Sequence, residues 1–582
     1  MDCSSYFLCP TLSDVKTPFF ASVISGLALC GCCLGFHTLA YGADNKPNAG
    51  ALLRDMPATS GSTDKNQGKQ SIEPLTDPGF NDPQGFDVSR LVIDGNTVFS
   101  ADKLHELISS LEGQALTLEQ LEQGIDIITR YYRSQGYPLT RALIPEQVIE
   151  DGVVHVLVLE AVWGEVQLLN SSEVVDRVIE RYTDLFRPGQ PVKQDELDKV
   201  SLMLSDLPGV DPQFTLKPGQ VTGTTDLEVL AHPTPPVAAE WLFDNQGSRY
   251  TGKNRLSFNL QWNNPFRHGD VIGVNKLTTG DLLKYERLSF ETPLEVNGWL
   301  VGVAVSDLNY RLGDNLSSSL SNGSAQQNSI WGRYQLNRSM DKNLVYRMQW
   351  DQMVLQDHQN ADAIKTDRNI NLWAFSLNAD STDTWLGGGR NMVSASLNLG
   401  QLNFNDAAAE ATDDKSARHK GDFQRINAGA SRQHYIGPNT SLLLNTDMQW
   451  GIKNLDSSQK FSLGGARSVR AYEAGTLSGD SGVLLSVELR QLLPQPAPHL
   501  NLHGQWFASV FIDAGWVKIN QQPWSPGSNE SGLSGVGLGL NWQGPDNWRA
   551  SLSIAQPLES APAAYVASKR TSAWFELAKG FR

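Results

Sequence analysis

The chain has 582 residues, a net charge of −16, and five cysteines (Cys3, Cys9, Cys30, Cys32 and Cys33), all near its amino terminus. With no basic stripe to offset it, this acidic balance excludes a duplex nucleic-acid partner. Mean hydropathy is −0.31, and the absence of a long apolar run after residue 43 excludes a membrane-spanning helix there. A membrane β-barrel stays open, because every second residue of its strands faces a polar lumen.

The stretch PFFASVISGLALCGCCLGFHTLA follows Lys16 and runs towards the small residues of LAYGA. It reads as a secretory signal over residues 1–43, cleaved near Ala43. A retained membrane anchor is one alternative. Lipid attachment at Cys32 is another, opposed by Cys30 two positions earlier. Removal of the signal leaves a chain without cysteine, indifferent to an oxidising compartment.

Residues 44–85 are rich in Gly, Pro, Ser, Asp and Asn. They read as a linker with one short helical segment at AGALLRDM. From Phe86 the texture changes. FDVSRLVIDGNTVFS is a strand with an Asp-Gly turn, and SADKLHELISSLEG is a helix capped by Ser100. TLEQLEQGIDIITRYYRSQGY sets Leu118, Leu121, Ile125 and Ile128 on one helical stripe. RALIPEQVIEDGVVHVLVLEAV closes the unit with two strands. The order β-α-α-β-β then recurs, giving two α+β modules at 86–161 and 162–233. Each sheet is expected to leave an edge strand for an extended client segment; a mere spacer is the alternative.

Residues 239–582 show alternation and no helix period. Trp299, Val301, Val303 and Val305 oppose Gly302, Ala304 and Ser306. Leu442, Leu444, Met448 and Trp450 oppose Asn445, Asp447 and Gln449. Val483, Leu485, Val487 and Leu489 oppose Ser486, Glu488 and Arg490, and Val536, Leu538, Leu540 and Trp542 oppose glycines. Apolar-out, polar-in alternation with tryptophan near strand ends predicts a transmembrane β-barrel facing outer-membrane lipids. At roughly 20–22 residues per strand and loop the segment holds about 16 antiparallel strands.

In VFIDAGWV the same alternation puts Phe511, Asp513 and Gly515 on the lumen face. A partly desolvated carboxylate there calls for a cation, and a forked guanidinium is its strongest match. Arg490 on the neighbouring strand and Arg470 in the loop sequence LGGARSVRAYEAG are both candidates.

The modules, with V..V.I.GN at the start and Y...GY....A.IP.Q.I.DG.V at the end, resemble POTRA domains, the periplasmic modules of outer-membrane translocators. The whole chain after residue 43 resembles the two-partner secretion transporters, the hemolysin-activator group that includes the secretor of filamentous hemagglutinin. The resemblance implies a plug helix and linker at 44–85 and two periplasmic POTRA domains. It also implies a 16-stranded barrel placed in the outer membrane by the barrel-assembly machinery. Neither an enzyme activity nor a cofactor is implied. The partner would be a secreted exoprotein of the hemolysin or adhesin type, encoded nearby. In this family a loop folds back into the lumen with a Val-Arg-Gly-Tyr tip, here Val469, Arg470, Ala471 and Tyr472. Its partner is the aspartate of an F.D.G strand motif, here Phe511, Asp513 and Gly515. The resemblance therefore favours an Arg470–Asp513 latch. Alanine replaces the family's glycine at 471, and Arg582 follows the terminal aromatic Phe581.

Rival readings are a barrel-assembly insertase, which ordinarily carries more POTRA modules, and a porin with accessory periplasmic domains. SGDSGV resembles a serine-protease nucleophile segment, but no histidine and aspartate stand in triad context. His499 and His503 share a strand face without further metal ligands nearby.

Overall fold

The computed structural model describes residues 47–56, 69–72, 85–294, 298–361, 363–494, 503–559 and 571–581. The expected signal segment, His499 and Arg582 lie outside the described residues. Within the linker, AGALLR is helical as α1 (Ala49–Arg54), capped by the Asn48 side chain, which accepts the Ala51 N–H at 2.9 Å. Further on, β1 (Lys69–Ile72) is extended.

The first module runs β2 (Phe86–Val88), β3 (Arg90–Asp94), α2 (Ala101–Ile108), β4 (Gln114–Leu116), α3 (Leu118–Ser134), β5 (Arg141–Leu143) and β6 (Val153–Leu159). Ser100 caps α2, and Thr117 with Gln120 forms a reciprocal capping box on α3, which satisfies amides that no helical carbonyl reaches. Leu121, Ile125, Ile128 and Tyr132 of α3 bury against Val154, Val156 and Val158 of β6. Each such aliphatic burial contributes about 1.5–3 kcal/mol. Strand β6 lies between β3, parallel, and β5, antiparallel.

The second module repeats the order with β7 (Val162–Asn170), α4 (Asp176–Thr183), α5 (Gln194–Ser205), β8 (Val210–Pro218) and β9 (Thr224–Pro233) around Trp163, Phe186 and Phe214. Its sheet order is β1-β8-β9-β7. The edge of β8, expected to be open, is taken by the chain's own linker: Lys69–Ile72 pairs in parallel with Gln213–Leu216. Four extended residues suffice, because an edge strand offers unpaired N–H and C=O groups to any extended segment within reach.

Strands β10 (Val237–Asp244), β11 (Arg255–Asn263), β12 (Val271–Thr278), β13 (Leu283–Pro293), β14 (Trp299–Arg311) and β15 (Ser321–Arg338) begin the barrel. It continues with β16 (Lys342–Gln359), β17 (Ile364–Asp383), β18 (Gly389–Phe404), β19 (Gly421–Gly437) and β20 (Thr440–Gly451). After the loop strands β21 (Phe461–Leu463) and β22 (Leu477–Gly479) come β23 (Ser481–Leu493), β24 (Gln505–Lys518), β25 (Glu530–Gln543), β26 (Trp548–Pro557) and β27 (Ser572–Phe581). The sixteen wall strands are antiparallel, and β27 closes on β10. Alternation sorts their faces: Val303, Val305, Val510 and Ile512 are exposed on the outer face, whereas Ala304, Ser306, Phe511 and Asp513 are buried.

One end of the barrel meets the second module, and the resemblance above makes that end the periplasmic one. There Val175 N–H donates to the Arg267 carbonyl at 2.9 Å, and the Arg338 guanidinium pairs with Asp206 at 2.7 and 3.0 Å. The other end carries the longer connections, including helix α6 (Ala407–Asp414). One part of the lumen departs from apolar-out, polar-in. Leu308, Tyr310, Leu355, Ile370 and Leu402 point inwards and pack on Ala49, Leu52 and Leu53 of α1. The wall is apolar there because a helix of the same chain, not water, covers it.

Candidate functional site

Among the described residues, two segments of the chain occupy the lumen: α1 and the loop between β20 and β23. The loop enters as a ladder of β21 and β22. At its tip Gly465 N–H donates to the Tyr472 carbonyl at 2.8 Å and Tyr472 N–H to the Val469 carbonyl at 3.1 Å. Gly464 has φ +97, and a Cβ there would lie 2.3 Å from the Glu473 carbonyl oxygen, so the turn requires glycine. Arg467 stays exposed.

The tip delivers Arg470 to the wall. Its Nε donates to Asp513 Oδ2 and its Nη2 to Asp513 Oδ1, both at 2.8 Å, and its backbone N–H adds a third contact at 3.1 Å. Nη1 reaches Glu488 Oε2 at 2.7 Å. Ser486 Oγ donates to Asp513 Oδ1 at 2.7 Å. Asp513 is fully buried, so a fork-on-fork pair supplies what lost hydration did. Arg490, the other candidate cation, donates to Glu488 at 2.8 Å instead. The guanidinium carbon lies 3.2 Å from the centroid of the Phe511 ring, adding a cation–π contact.

The rest of the tip is held as firmly. Val469 is buried among Leu463, Leu477 and Phe511. Tyr472 donates its hydroxyl to the Glu559 carbonyl at 2.8 Å. Gly515 leaves room for Leu463, whose side chain would lie 2.6 Å from a Cβ there. Ala471 is not among the residues with positive φ, so the alanine in the family's glycine position imposes no backbone strain. From the closing strand β27, Trp574 Nε1 donates to the Arg470 carbonyl at 2.7 Å and Ser572 Oγ to the Ala471 carbonyl at 2.9 Å.

A second ion cluster, which sequence reasoning missed, ties α1 to the same loop. Arg368 is buried and donates to Asp357 of β16 and Asp456 of the loop, each at 2.7 Å. Asp357 also accepts the Ala49 N–H of α1 at 2.7 Å and the Tyr310 hydroxyl at 2.5 Å. Ser457 of the loop donates to the Asn48 cap at 2.7 Å, and Arg54 donates to the Ser457 carbonyl at 2.9 Å. The available signal was parity: Arg368 shares its face with Ile370 and Leu372, an odd place for an unpaired cation. The aspartate of SGDSGV has a different task. Asp480 accepts the Leu455 and Gln521 N–H groups at 3.0 and 2.6 Å and pairs with Lys460 at 2.9 Å, fixing the loop base.

Residues 223–542 match the family described as Haemolysin secretion/activation protein ShlB/FhaC/HecB, and residues 86–161 match the ShlB-type POTRA domain. The heme/hemopexin transporter protein HuxB of Haemophilus influenzae (strain 86-028NP) is 27% identical over 79% of this chain and 81% of its own length. The outer membrane transporter CdiB of Escherichia coli O6:K15:H31 (strain 536 / UPEC) is 24% identical over 88% of each. Among solved structures, CdiB from Escherichia coli superposes with a TM-score of 0.67 at 21% identity, covering 88% of this chain and 93% of that one. BamA from Haemophilus ducreyi lacking POTRA domains 1-3 gives 0.50 at 14%, covering 85% and 100%. At these identities the structural likenesses speak for the fold. Because the matched family covers more than half of the chain, including most of the barrel, the chain belongs to the haemolysin secretion/activation (ShlB/FhaC/HecB) family of outer-membrane transporters.

Proposed function

We propose that this chain secretes a partner exoprotein of the hemolysin or adhesin type, with its two periplasmic modules receiving the unfolded client and its barrel providing the path. The carrying observation is a closed barrel whose lumen is occupied by two of its own segments, each held by side-chain contacts. Such a pore is shut at rest and opens by exchange of contacts, without covalent change. The Arg470–Asp513 pair acts as the latch that holds the loop against the wall, and α1 acts as the plug. An extended client segment pairs with a module edge, either a free edge of the first module or the β8 edge after β1 is displaced. Folding of the client outside then makes the passage directional, since the folded product no longer offers an extended segment to the lumen.

The test is co-expression with the exoprotein frame expected beside this one, comparing export by wild type, Arg470→Ala and Asp513→Ala. Export by wild type with loss in both variants is the expected result. Undiminished export in both variants would overturn the latch, and failure of wild type to move the neighbour would overturn the client assignment.

A further inference from the structure

On the wall of β13 to β16, between the periplasmic mouth and α1, stands a cluster that takes no part in the latch or the plug. Trp331 points inwards, nearly buried, against the bare backbone of Gly302, where a Cβ would lie 2.3 Å from its ring. Two guanidinium carbons approach the ring centroid, that of Arg347 at 4.8 Å and that of Arg287 at 6.0 Å. The nearby carboxylates are committed elsewhere. Glu291 accepts Trp331 Nε1 at 2.8 Å and pairs with Arg333 at 2.7 Å. Asp351 takes Ser329 at 2.6 Å and both of its oxygens accept from Gln349, at 2.8 and 2.9 Å. Arg347 is left with the neutral amide oxygen of Gln349, at 2.6 and 3.0 Å.

Two donors in this cluster have no hydrogen-bond partner among the described residues. They are the buried Nε of Arg287 and the buried hydroxyl of Ser306. The two residues face each other across the β13–β14 ladder, where opposed Cβ atoms lie about 4.5–5.5 Å apart. Buried donors are ordinarily satisfied, so these two, one of them on a guanidinium, together with Arg347, whose hydrogen bonds go to a neutral amide, mark a place prepared for an anionic oxygen. The register places this wall on the route inwards. The Arg333–Arg347 pair lies nearest the periplasm, then the row Glu291, Gly302, Trp331 and Gln349, then Arg287 with Ser306. The next inward residues of β14, Leu308 and Tyr310, already touch the plug cluster.

We propose that Arg287, Ser306 and Arg347, arranged around Trp331, form a carboxylate-accepting subsite that engages acidic side chains of a polypeptide segment entering from the periplasm. The identity of the segment as client rests on the secretion reading above; the carboxylate chemistry does not. Two guanidiniums held on an aromatic face receive a carboxylate with both charge and direction.

The experiment uses the purified full-length protein in detergent and fluorescein-labelled peptides read by anisotropy: deca-glutamate, deca-lysine and a neutral Gly-Ser decapeptide. Deca-glutamate is expected to bind selectively and to be weakened about tenfold in Arg287→Gln/Arg347→Gln, the loss typical of a charged hydrogen bond. Arg287→Gln alone breaks no side-chain hydrogen bond among the described residues and is expected to weaken binding measurably, so a misfolded double variant leaves the idea testable. Arg432→Gln serves as the control away from the cluster. Equal affinity of wild type and Arg287→Gln, or equal binding of deca-lysine, overturns the subsite. Complete displacement by millimolar inorganic phosphate, with no preference for deca-glutamate over the neutral peptide, overturns the polypeptide assignment. Because binding is read without export, a failed secretion assay and a failed subsite are distinguishable.

Discussion

The methyl group of Ala471 occupies the space that Gly535 leaves empty: a Cβ built on Gly535 would lie 2.3 Å from the Ala471 Cβ. The alanine in the loop and the glycine on the wall therefore form a matched pair. Gly535→Ala is expected to overpack the latch by about 1–3 kcal/mol and to loosen the tip. Ala471→Gly/Gly535→Ala is expected to restore docking. Cysteine labelling at Ser468→Cys measures tip exposure, and equal labelling of the single and double variants would count against the pairing.

Arg470 serves two carboxylates, but they depend on it unequally. Glu488 keeps Arg490 when Arg470 is removed, whereas buried Asp513 keeps, among the described residues, only Ser486 and the backbone N–H of residue 470. Arg470→Ala is therefore expected to cost the docked state about 3–5 kcal/mol. Arg470→Ala/Asp513→Ala should recover part of that loss. Tip labelling rates for wild type, single and double variants give the coupling. Additive effects would show that the two side chains do not act as a pair.

Arg368 joins the plug to the loop through Asp357 and Asp456. Arg368→Gln leaves buried Asp456 and partly buried Asp357 without their cation, so α1 is expected to leave the lumen more often. With no cysteine beyond Cys33, Leu52→Cys reports this directly. Its labelling by a maleimide is expected to rise at least about tenfold in the Arg368→Gln background, with an intermediate rate for Arg368→Lys. Unchanged labelling would mean that apolar packing alone retains the helix.

Displacing β1 frees the β8 edge. Gln70→Pro/Ser71→Pro removes the ladder donor, since one of two consecutive strand N–H groups faces β8. Faster hydrogen exchange at Gln213–Leu216 and tighter binding of an exoprotein amino-terminal fragment are expected. Faster exchange without tighter binding would place client capture on another edge.

What was legible in the chain was whatever repeats locally. Alternation exposed the outward Val510 and Ile512 against the inward Phe511 and Asp513, and capping residues marked α2 and α3. Lys69–Ile72 carries no such signal, because a four-residue segment pairs through backbone alone. Leu308 and Tyr310 break the polar-lumen rule for a reason supplied by α1, more than 250 positions away. Arg368 depends on Asp456, 88 residues further on, so only assembled structure reveals the junction. Arg470 is legible because the resemblance names its partner; spacing alone leaves Arg490 as a rival.

The first module carries an acid-sensitive contact of its own. Tyr132 donates its hydroxyl to Glu160 Oε1 at 2.5 Å, and Glu160 also accepts the Thr97 hydroxyl and the N–H groups of Thr97 and Val98. Burial pushes the Tyr132 phenol up, and the neighbouring carboxylate adds to this. Burial alone would also raise Glu160, but the hydrogen bonds from Thr97, Tyr132 and Val98 outweigh it and hold the carboxyl below its ordinary value. A carboxyl depressed in the folded state contributes stability above its unfolded pKa, roughly 4.3, and loses it as pH falls through the folded value. Protection of α3 amides, read by hydrogen exchange in the full chain, should hold between pH 7 and 5 and fall below about 4.3. In Glu160→Gln it should be lower at neutral pH and flatter towards acid. Equal acid sensitivity in the two proteins would assign the effect to other carboxylates of the module.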